Sequence, residues 1–214
     1  MITLYSGTPG SGKSYHMACD IYWSCRMGKP CLANFSVSLK KGQENFYELG
    51  NAELSPAALV AFSEYYFKSH PFKEGAIRLY IDECQVLLAS RSWNNADRQD
   101  WIIFFTQHRK LGYDVFLITQ FDKMIDKQIR ALIEYEVLHR KVNNVGWFGF
   151  FVSIVSLGRP VICANKYYYG MKYRLGSQFL IGSKHIFNIY STVKTFQSVK
   201  LPSQQRGVSN DKAT

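Results

Sequence analysis

A glycine-rich turn between an apolar run and a stretch with helical spacing is the feature that most constrains this chain. The run from Ile2 to Tyr5 is followed at once by GTPGSGKS, residues 7–14, which fits the phosphate-binding pattern G-x-x-x-x-G-K-[ST]. Glycines let the backbone curl with its N–H groups inward, and a helix that begins there points its positive end at the same place. We therefore predict a strand–loop–helix unit that binds a nucleoside triphosphate.

The residue types in this loop each have a chemical task. Lys13 can reach the β- and γ-phosphates, and the Ser14 hydroxyl can ligate Mg²⁺. An ordinary glycine-rich turn before a helix is the alternative, which is disfavoured because every fixed position of the pattern is present. The predicted nucleotide-binding residues are Gly7, Thr8, Pro9, Gly10, Ser11, Gly12, Lys13, Ser14 and Tyr15.

A second motif, RLYIDE at residues 78–83, ends an apolar strand with two carboxylates. At the carboxyl end of a strand beside the phosphate loop, Asp82 can hold the Mg²⁺ shell. Glu83 is then placed to orient and deprotonate an attacking water, which favours hydrolysis over binding alone. The alternative is a surface pair that caps the strand.

A third motif, HRKLGYDVFLITQ at residues 108–120, joins a helix end to another buried strand. The strand is expected to deliver Gln120 to the same sheet edge, where it can contact the γ-phosphate or the water. Arg109 is a candidate arginine finger, acting in its own site or a neighbour's. It can equally complement the negative end of its helix, and the sequence leaves these two roles open.

Helical and apolar-strand patterns alternate along the chain, which predicts an α/β fold with a mostly parallel sheet flanked by helices. A β-rich extension follows. We expect one domain over residues 1–198, with a basic β-rich portion at about 135–198, and a disordered tail or linker at 199–214. The predicted helices are 13–27, 56–68 with Ser55 as N-cap and Pro56 in the first turn, 97–111 and 123–132. The predicted strands are 1–6, 30–35, 77–81, 114–119, 135–142, 148–157 and 161–169.

The longest apolar run, from Trp147 to Leu157, is too short to span a membrane and is predicted to be a buried strand. No signal peptide is evident, and the five cysteines form no C-x-x-C pair, which favours reduced thiols in the cytoplasm. The scattered histidines make a zinc site improbable.

Charge is distributed unevenly along the sequence. Residues 1–136 carry 15 Lys/Arg and 15 Asp/Glu, so the formal charge of +10 lies entirely in the last third. Such an asymmetry favours a polyanionic partner, either single-stranded DNA or an anionic membrane surface. Aromatic and cationic residues alternate in residues 165–184, and proteins that bind single-stranded DNA use aromatics to stack on bases and cations to contact phosphates. A solvated basic face and a meander of half-buried tyrosines are the alternatives.

The order of GTPGSGKS, IDE and ITQ resembles the FtsK–HerA translocases, including conjugation coupling proteins. The N-terminal loop, the small size and the basic β-rich end are most similar to the zonula occludens toxin (Zot) family, the assembly ATPases of filamentous phages. The resemblance covers about residues 1–195. It implies a P-loop ATPase that uses ATP and Mg²⁺ to move phage single-stranded DNA outward as coat protein assembles. It also implies a homo-oligomer, phage assembly partners and, where the parent protein continues into a transmembrane helix, the cytoplasmic face of the inner membrane.

A phosphate-binding loop is compatible with three other functions. A GTPase would carry N-K-x-D, but Asn165-Lys166 is followed by two tyrosines. A small-molecule kinase usually has an arginine-rich lid, which the basic β-like segment does not resemble. A nucleotide-gated scaffold or nucleic-acid-binding module without significant turnover stays open as the alternative.

Overall fold

The computed structural model describes residues 1–88, 95–144 and 146–190 of the chain. Within these ranges the chain forms eight strands and six α-helices. The strands are β1 Ile2–Ser6, β2 Cys31–Ala33, β3 Phe46–Glu48, β4 Ile77–Ile81, β5 Tyr113–Ile118, β6 Tyr135–Lys141, β7 Val161–Tyr168 and β8 Tyr173–Ile181. The helices are α1 Lys13–Arg26, α2 Pro56–Ser69, α3 Asn95–Gln107, α4 Lys127–Ala131, α5 Gly146–Val155 and α6 Lys184–Phe187.

All eight strands belong to one sheet in the order β3-β2-β4-β5-β1-β6-β7-β8. Each neighbouring pair among the first six strands of this order pairs in parallel, whereas β7 and β8 add an antiparallel extension beyond β6. The predicted α/β class, with a mostly parallel sheet and a β-rich C-terminal extension, is confirmed. The carboxyl ends of β1, β4, β5 and β6 meet at one edge, where open α/β sheets bind ligands.

Each face of the sheet is covered by its own apolar cluster, because successive residues of a strand point to opposite sides. Tyr5 of β1 packs with Met17 and Ile21 of α1 on one face. Ile2 and Leu4 of the same strand pack on the other face, among residues of α2 and α3. Burial on both faces explains why the central strands read as continuous apolar runs.

The prediction of a buried strand at residues 148–157 was wrong, because this run lies largely in helix α5. Strands β6 and β7 pair directly with each other from Tyr135↔Tyr168 to Lys141↔Ile162, so the sheet leaves no ladder position between them. The run is therefore the connection between two strands. A short apolar run does not by its periodicity distinguish a buried strand from a helix.

Other element boundaries differ by a few residues. Helix α3 ends at Gln107, and residues 108–112 form turns. The predicted start of α2 is confirmed, since the Ser55 hydroxyl accepts a 3.2 Å hydrogen bond from the Ala58 N–H and Pro56 is the first helical residue. Strands β3 and β8 were not predicted. The predicted tail at 199–214 lies outside the described residues.

None of the helices in the described ranges is long and apolar enough to cross a bilayer. All five cysteines lie in described residues and are free thiols.

Candidate nucleotide-binding site

The phosphate loop connects the end of β1 to the start of α1 in a backbone conformation that only glycine adopts easily. Gly7, Gly10 and Gly12 have φ of 138°, 72° and 103°, in the region that side chains disfavour. A Cβ on Gly7 would lie 2.7 Å from the carbonyl oxygen of His139. The loop is therefore held against the backbone of β6 as well as by its own turns.

Lys13 is folded into the concave side of this loop. Its ammonium group donates hydrogen bonds to the carbonyl oxygens of Gly7 at 2.7 Å and Thr8 at 3.2 Å. Burial lowers the pKa of Lys13, and the negative charges of Glu83 and Asp82 oppose that shift. The lysine is thus a buried cation with two carboxylates near enough to act on it.

The loop also offers polar groups suited to an anion. The Ser11 hydroxyl is buried and has no hydrogen-bond partner within the described part of the chain. Buried polar groups are normally paired, so an orphaned hydroxyl here indicates room for a ligand. Together with the N-terminus of α1 and Lys13, it fits the phosphates of a nucleotide.

A cleft of about 270 Å³ adjoins the loop and is closed on its other side by residues 181–190, which we call the C-terminal segment. Its walls are residues 10–15 together with Ala18, Ile186, Phe187 and Tyr190. The Tyr15 hydroxyl donates a hydrogen bond to the Ile181 carbonyl at 2.9 Å and accepts one from the Ser183 N–H at 3.0 Å. The rings of Tyr15 and Phe187 lie 4.6 Å apart. No sequence motif indicated that this segment would reach the loop.

Asp82 follows β4 and is fixed by hydrogen bonds at its backbone and at both side-chain oxygens. Its N–H donates to Asn34 Oδ1 at 2.8 Å, and its carbonyl accepts from Asn34 Nδ2 at 3.0 Å. Oδ1 accepts from the Glu83 N–H at 2.9 Å, and Oδ2 accepts from the Tyr190 hydroxyl at 2.7 Å. Burial raises the pKa of Asp82, and these two hydrogen bonds oppose the rise.

Glu83 lies beside Asp82 with its side chain exposed and its backbone strained. Its φ is 46°, which is uncommon for a residue with a side chain. One carboxylate oxygen accepts a 3.4 Å hydrogen bond from Gln120 Nε2, and the other accepts from Gln85. Gln120 comes two residues after β5. The structure thus brings Asp82, Glu83 and Gln120 together at the edge that carries the phosphate loop.

Arg109 lies at the opposite edge of the sheet. Its guanidinium forms a 2.6 Å ion pair with Glu134, which precedes β6 and also accepts from the Ile2 N–H. The six residues of β5 separate this edge from Gln120, which corresponds to about 20 Å at strand rise. Arg109 is therefore not brought to the phosphate loop of its own chain.

The cations of the predicted polyanion-binding segment are partly engaged within the chain. Lys166 Nζ lies 4.1 Å from the centre of the Tyr135 ring, and Lys172 forms a 2.6 Å ion pair with Glu136. Arg174 donates to the Asn165 side chain at 3.1 Å. Lys184 is exposed at the start of α6.

A profile described as Zonular occludens toxin (Zot) matches residues 1–195. The chain belongs to the Zot family. It is 31% identical over 128 residues to the "Gene 1 protein" of Enterobacteria phage fd, a match that covers 56% of this chain and 37% of that protein. For the "Gene 1 protein" of Enterobacteria phage I2-2 the identity is 35% over 126 residues, covering 56% and 34%. The chain thus spans little more than a third of the curated relatives it matches.

Solved structures show the same fold. The N-terminal domain of zonular occludens toxin from Neisseria meningitidis superimposes with a TM-score of 0.54 at 19% identity, covering 89% of this chain and 98% of that one. A DnaB-like replicative helicase gives a TM-score of 0.55 at 11% identity, covering 86% of this chain and 56% of that one. A further solved ATPase domain gives 0.56 at 9% identity, covering 86% and 82%. The Zot-family chain therefore has the fold of the P-loop NTPases.

Proposed function

We propose that this Zot-family chain binds and hydrolyses ATP with Mg²⁺. The observation that carries the proposal is the meeting of Lys13, Asp82, Glu83 and Gln120 at one edge of the sheet. Lys13, the adjacent pair Asp82 and Glu83, and Gln120 come from three separate parts of the sequence and have no shared role in the apolar core. Their types are the ones that phosphoryl transfer to water requires.

The phosphate-binding part consists of residues 7–15. The loop N–H groups and the Ser11 hydroxyl receive phosphate oxygens, and the Lys13 ammonium exchanges its carbonyl partners for the β- and γ-phosphates. The Ser14 hydroxyl and the Asp82 carboxylate would hold Mg²⁺, which would neutralise charge on the phosphates. Tyr15 supports the wall of the cleft through its hydrogen bonds to the C-terminal segment.

The hydrolytic part consists of Glu83 and Gln120. When bound, Mg²⁺·ATP supplies the γ-phosphoryl group that is transferred to water. Glu83 is the general base that orients this water and takes its proton, and its strained backbone at φ 46° supports a functional role. Gln120 is the proposed sensor of the γ-phosphate, through which strand β5 reports the state of the site, and its hydrogen bond to Glu83 supports this role.

We further propose that the protein uses this activity in filamentous-phage assembly and export, as a homo-oligomeric motor that acts on phage single-stranded DNA. Family membership and the similarity to phage gene 1 proteins support this proposal. Phage assembly proteins and an anionic membrane are the other proposed partners. Arg109, far from its own site, is proposed to act in a neighbouring subunit.

A nucleotide-gated scaffold without significant turnover is the second candidate. One observation favours it: the hydroxyl of Tyr190 occupies Oδ2 of Asp82, the carboxylate that would hold Mg²⁺. In this alternative the nucleotide displaces Tyr190 and changes the C-terminal segment, and hydrolysis is incidental.

Steady-state phosphate release, measured with and without single-stranded DNA, tests the proposal. Wild type should hydrolyse ATP, while Lys13→Ala should lose ATP binding and turnover together. Lys29→Ala, a change at another lysine beyond the end of α1, is the matched control and should match wild type. Nucleotide binding without turnover in wild type would favour the scaffold, and undiminished turnover by Lys13→Ala would refute the site.

A further inference from the structure

Helix α5 presents its apolar side to the outside of the molecule. Trp147, Phe151, Ile154 and Val155 stand at positions i, i+4, i+7 and i+8, which form one face of a helix. Their exposed fractions are 81%, 59%, 58% and 84%, and Leu157 just beyond the helix is 86% exposed. Such a concentration of exposed apolar side chains marks an interaction surface.

The opposite side of the helix contacts the protein through polar groups. The Ser153 hydroxyl accepts a 2.8 Å hydrogen bond from Asn143 Nδ2, and Asn143 Oδ1 accepts one from the Val161 N–H at 2.6 Å. The Ser156 hydroxyl donates to the Arg159 carbonyl at 2.8 Å. Among the side chains of residues 146–157 that the structure describes, the most exposed are therefore apolar and both serines form hydrogen bonds, and Asn143 ties the helix to strand β7.

Basic residues flank the helix. Arg140 and Lys141 end β6, and Arg159 precedes β7, while the sequence contains no Asp or Glu between Glu136 and Asp211. Arg140 and Arg159 are exposed. A second copy docked two-fold on this surface would bring these like charges together, because such an interface pairs a patch with itself. Anionic headgroups complement the same charges.

The length of the helix sets how it can meet a bilayer. Ten residues extend about 15 Å at helical rise, which is half of a hydrocarbon core, so the helix cannot span one. A short helix with an apolar face and basic flanks lies in the membrane plane, and tryptophan favours the level of the headgroups.

We propose that α5 is a membrane-docking element that lies in the headgroup boundary of an anionic bilayer, with Trp147, Ile154, Val155 and Leu157 inserted and Arg140, Lys141 and Arg159 on the lipid phosphates. This proposal specifies which element contacts the anionic membrane that is one of the partners proposed for the basic last third of the chain. It does not depend on ATP hydrolysis, since docking requires only the exposed surface.

Vesicle partitioning without nucleotide tests it. Wild type should bind vesicles of phosphatidylglycerol and phosphatidylcholine, and bind pure phosphatidylcholine at least tenfold more weakly. The variant Ile154→Gln/Val155→Gln/Leu157→Asn should lose tenfold or more in partitioning. Asparagine is chosen because Leu157 has φ of 53°, which asparagine tolerates. The control Met27→Gln/Tyr65→Gln changes exposed apolar residues elsewhere and should bind as wild type does.

Depth of insertion is read from fluorescence. Brominated lipids should quench the emission of wild type, and Trp147→Phe should lose most of that quenching. Oligonucleotide binding by the triple variant should stay within twofold of wild type. The proposal is overturned if wild type ignores anionic vesicles, if the triple variant partitions equally well, or if quenching persists in Trp147→Phe. It is also overturned if the triple variant instead converts a self-associated wild type to monomer.

Discussion

The hydroxyl of Tyr190 donates a 2.7 Å hydrogen bond to Oδ2 of Asp82, 108 residues earlier in the chain. Burial and the Asp82 charge raise the pKa of Tyr190 far above its usual value, so the phenol keeps its proton. The neighbouring Ile189 carbonyl accepts from the Ser38 N–H at 3.1 Å, which fixes the backbone at this point. The end of the described chain thus touches the proposed metal carboxylate directly.

The Tyr190→Phe variant should lower the Mg²⁺ concentration needed for half-maximal ATP turnover by about three- to tenfold. The change removes a competitor for Asp82 and keeps the ring, which packs 5.2 Å from the ring of Phe35. A hydrogen bond to a charged group is worth about 1.5–3 kcal/mol, of which part is recovered when the phenol meets water. Tyr22→Phe, whose hydroxyl accepts a hydrogen bond from Arg26 on α1 instead, is the control. An unchanged Mg²⁺ dependence in Tyr190→Phe would show that the contact does not compete.

Replacing Glu83 should separate catalysis from stability. Glu83→Gln should retain ATP binding and lose turnover by about 10²-fold or more if the carboxylate is the general base. Glu83→Gly should lose turnover equally, while its free energy of unfolding rises by about 1 kcal/mol because glycine adopts positive φ without strain. Urea unfolding and phosphate release on both variants check this. Turnover within a few-fold of wild type would assign the base to another group.

Mixing experiments should reveal whether Arg109 acts between subunits. Arg109→Ala and Lys13→Ala proteins should each be inactive, and their mixture should regain turnover, because some sites then combine an intact loop with an intact arginine. Glu134→Gln frees the guanidinium from its ion pair and should stay active. If mixed oligomers form but remain inactive, or if Arg109→Ala is active, Arg109 does not act between subunits and its role is limited to the ion pair with Glu134.

The basic third should bind a polyanion independently of ATP. Removing Lys166, Lys172, Arg174 and Lys184 together should weaken oligonucleotide binding and flatten its salt dependence, since fewer counterions are released. If bases stack on the segment, replacing Tyr167 and Tyr169 with leucine should cost about 1–3 kcal/mol per stacked base. Titrations at two salt concentrations check both effects. ATP affinity should be spared, and a wild type that binds neither DNA nor anionic vesicles would refute the idea.

Acid should destabilise the fold through a buried histidine pair behind the phosphate loop. Nδ1 of His16 and Nε2 of His139 are 2.9 Å apart, and burial, then the charge of His16, lowers the pKa of His139 to about 3. In the unfolded chain His139 binds a proton near pH 6.5, so its contribution to stability is fully present above that pH. As the pH is lowered from 6.5 to 3, this group reduces the free energy of unfolding by about 1.4 kcal/mol per pH unit.

Urea unfolding at pH 7.5 and 5.5 measures this effect. His139→Gln should be less stable at both values, because the packing against Tyr5 and the hydrogen bond to the Ser6 carbonyl change. The decrease in its free energy of unfolding from pH 7.5 to 5.5 should be smaller than the decrease in wild type. Equal losses would show that other groups carry the acid sensitivity.

The parts of the site that sequence predicted are those fixed by local motif and strand order. Lys13 belongs to a contiguous loop, and Asp82 and Gln120 follow apolar strands whose carboxyl ends meet in any parallel sheet. The same topology places the start of a strand at the other edge, which is where Arg109, just before β5, is found. That signal was available in the sequence.

The remaining parts depend on contacts that no local pattern encodes. Asn34 and Tyr190 reach Asp82 across 48 and 108 residues. Strand β8 is exposed along nearly its whole length and pairs with β7 through an irregularity between Lys166 and Tyr167, so it lacks the alternation that marks a half-buried strand. The sequence of α5 resembles that of a buried strand because most of its residues are apolar, although several of them are exposed in the structure.

The position of β6, β7 and β8 at one end of the sheet makes the molecule an electric dipole. Between residues 137 and 190 the only charged side chains apart from histidine are seven cations, whereas residues 1–136 are formally neutral. A polyanionic surface exerts a torque on such a molecule within roughly the Debye length, about 8 Å at physiological salt. We therefore expect an anionic surface to attract the end of the molecule that bears α5 before it attracts the other end.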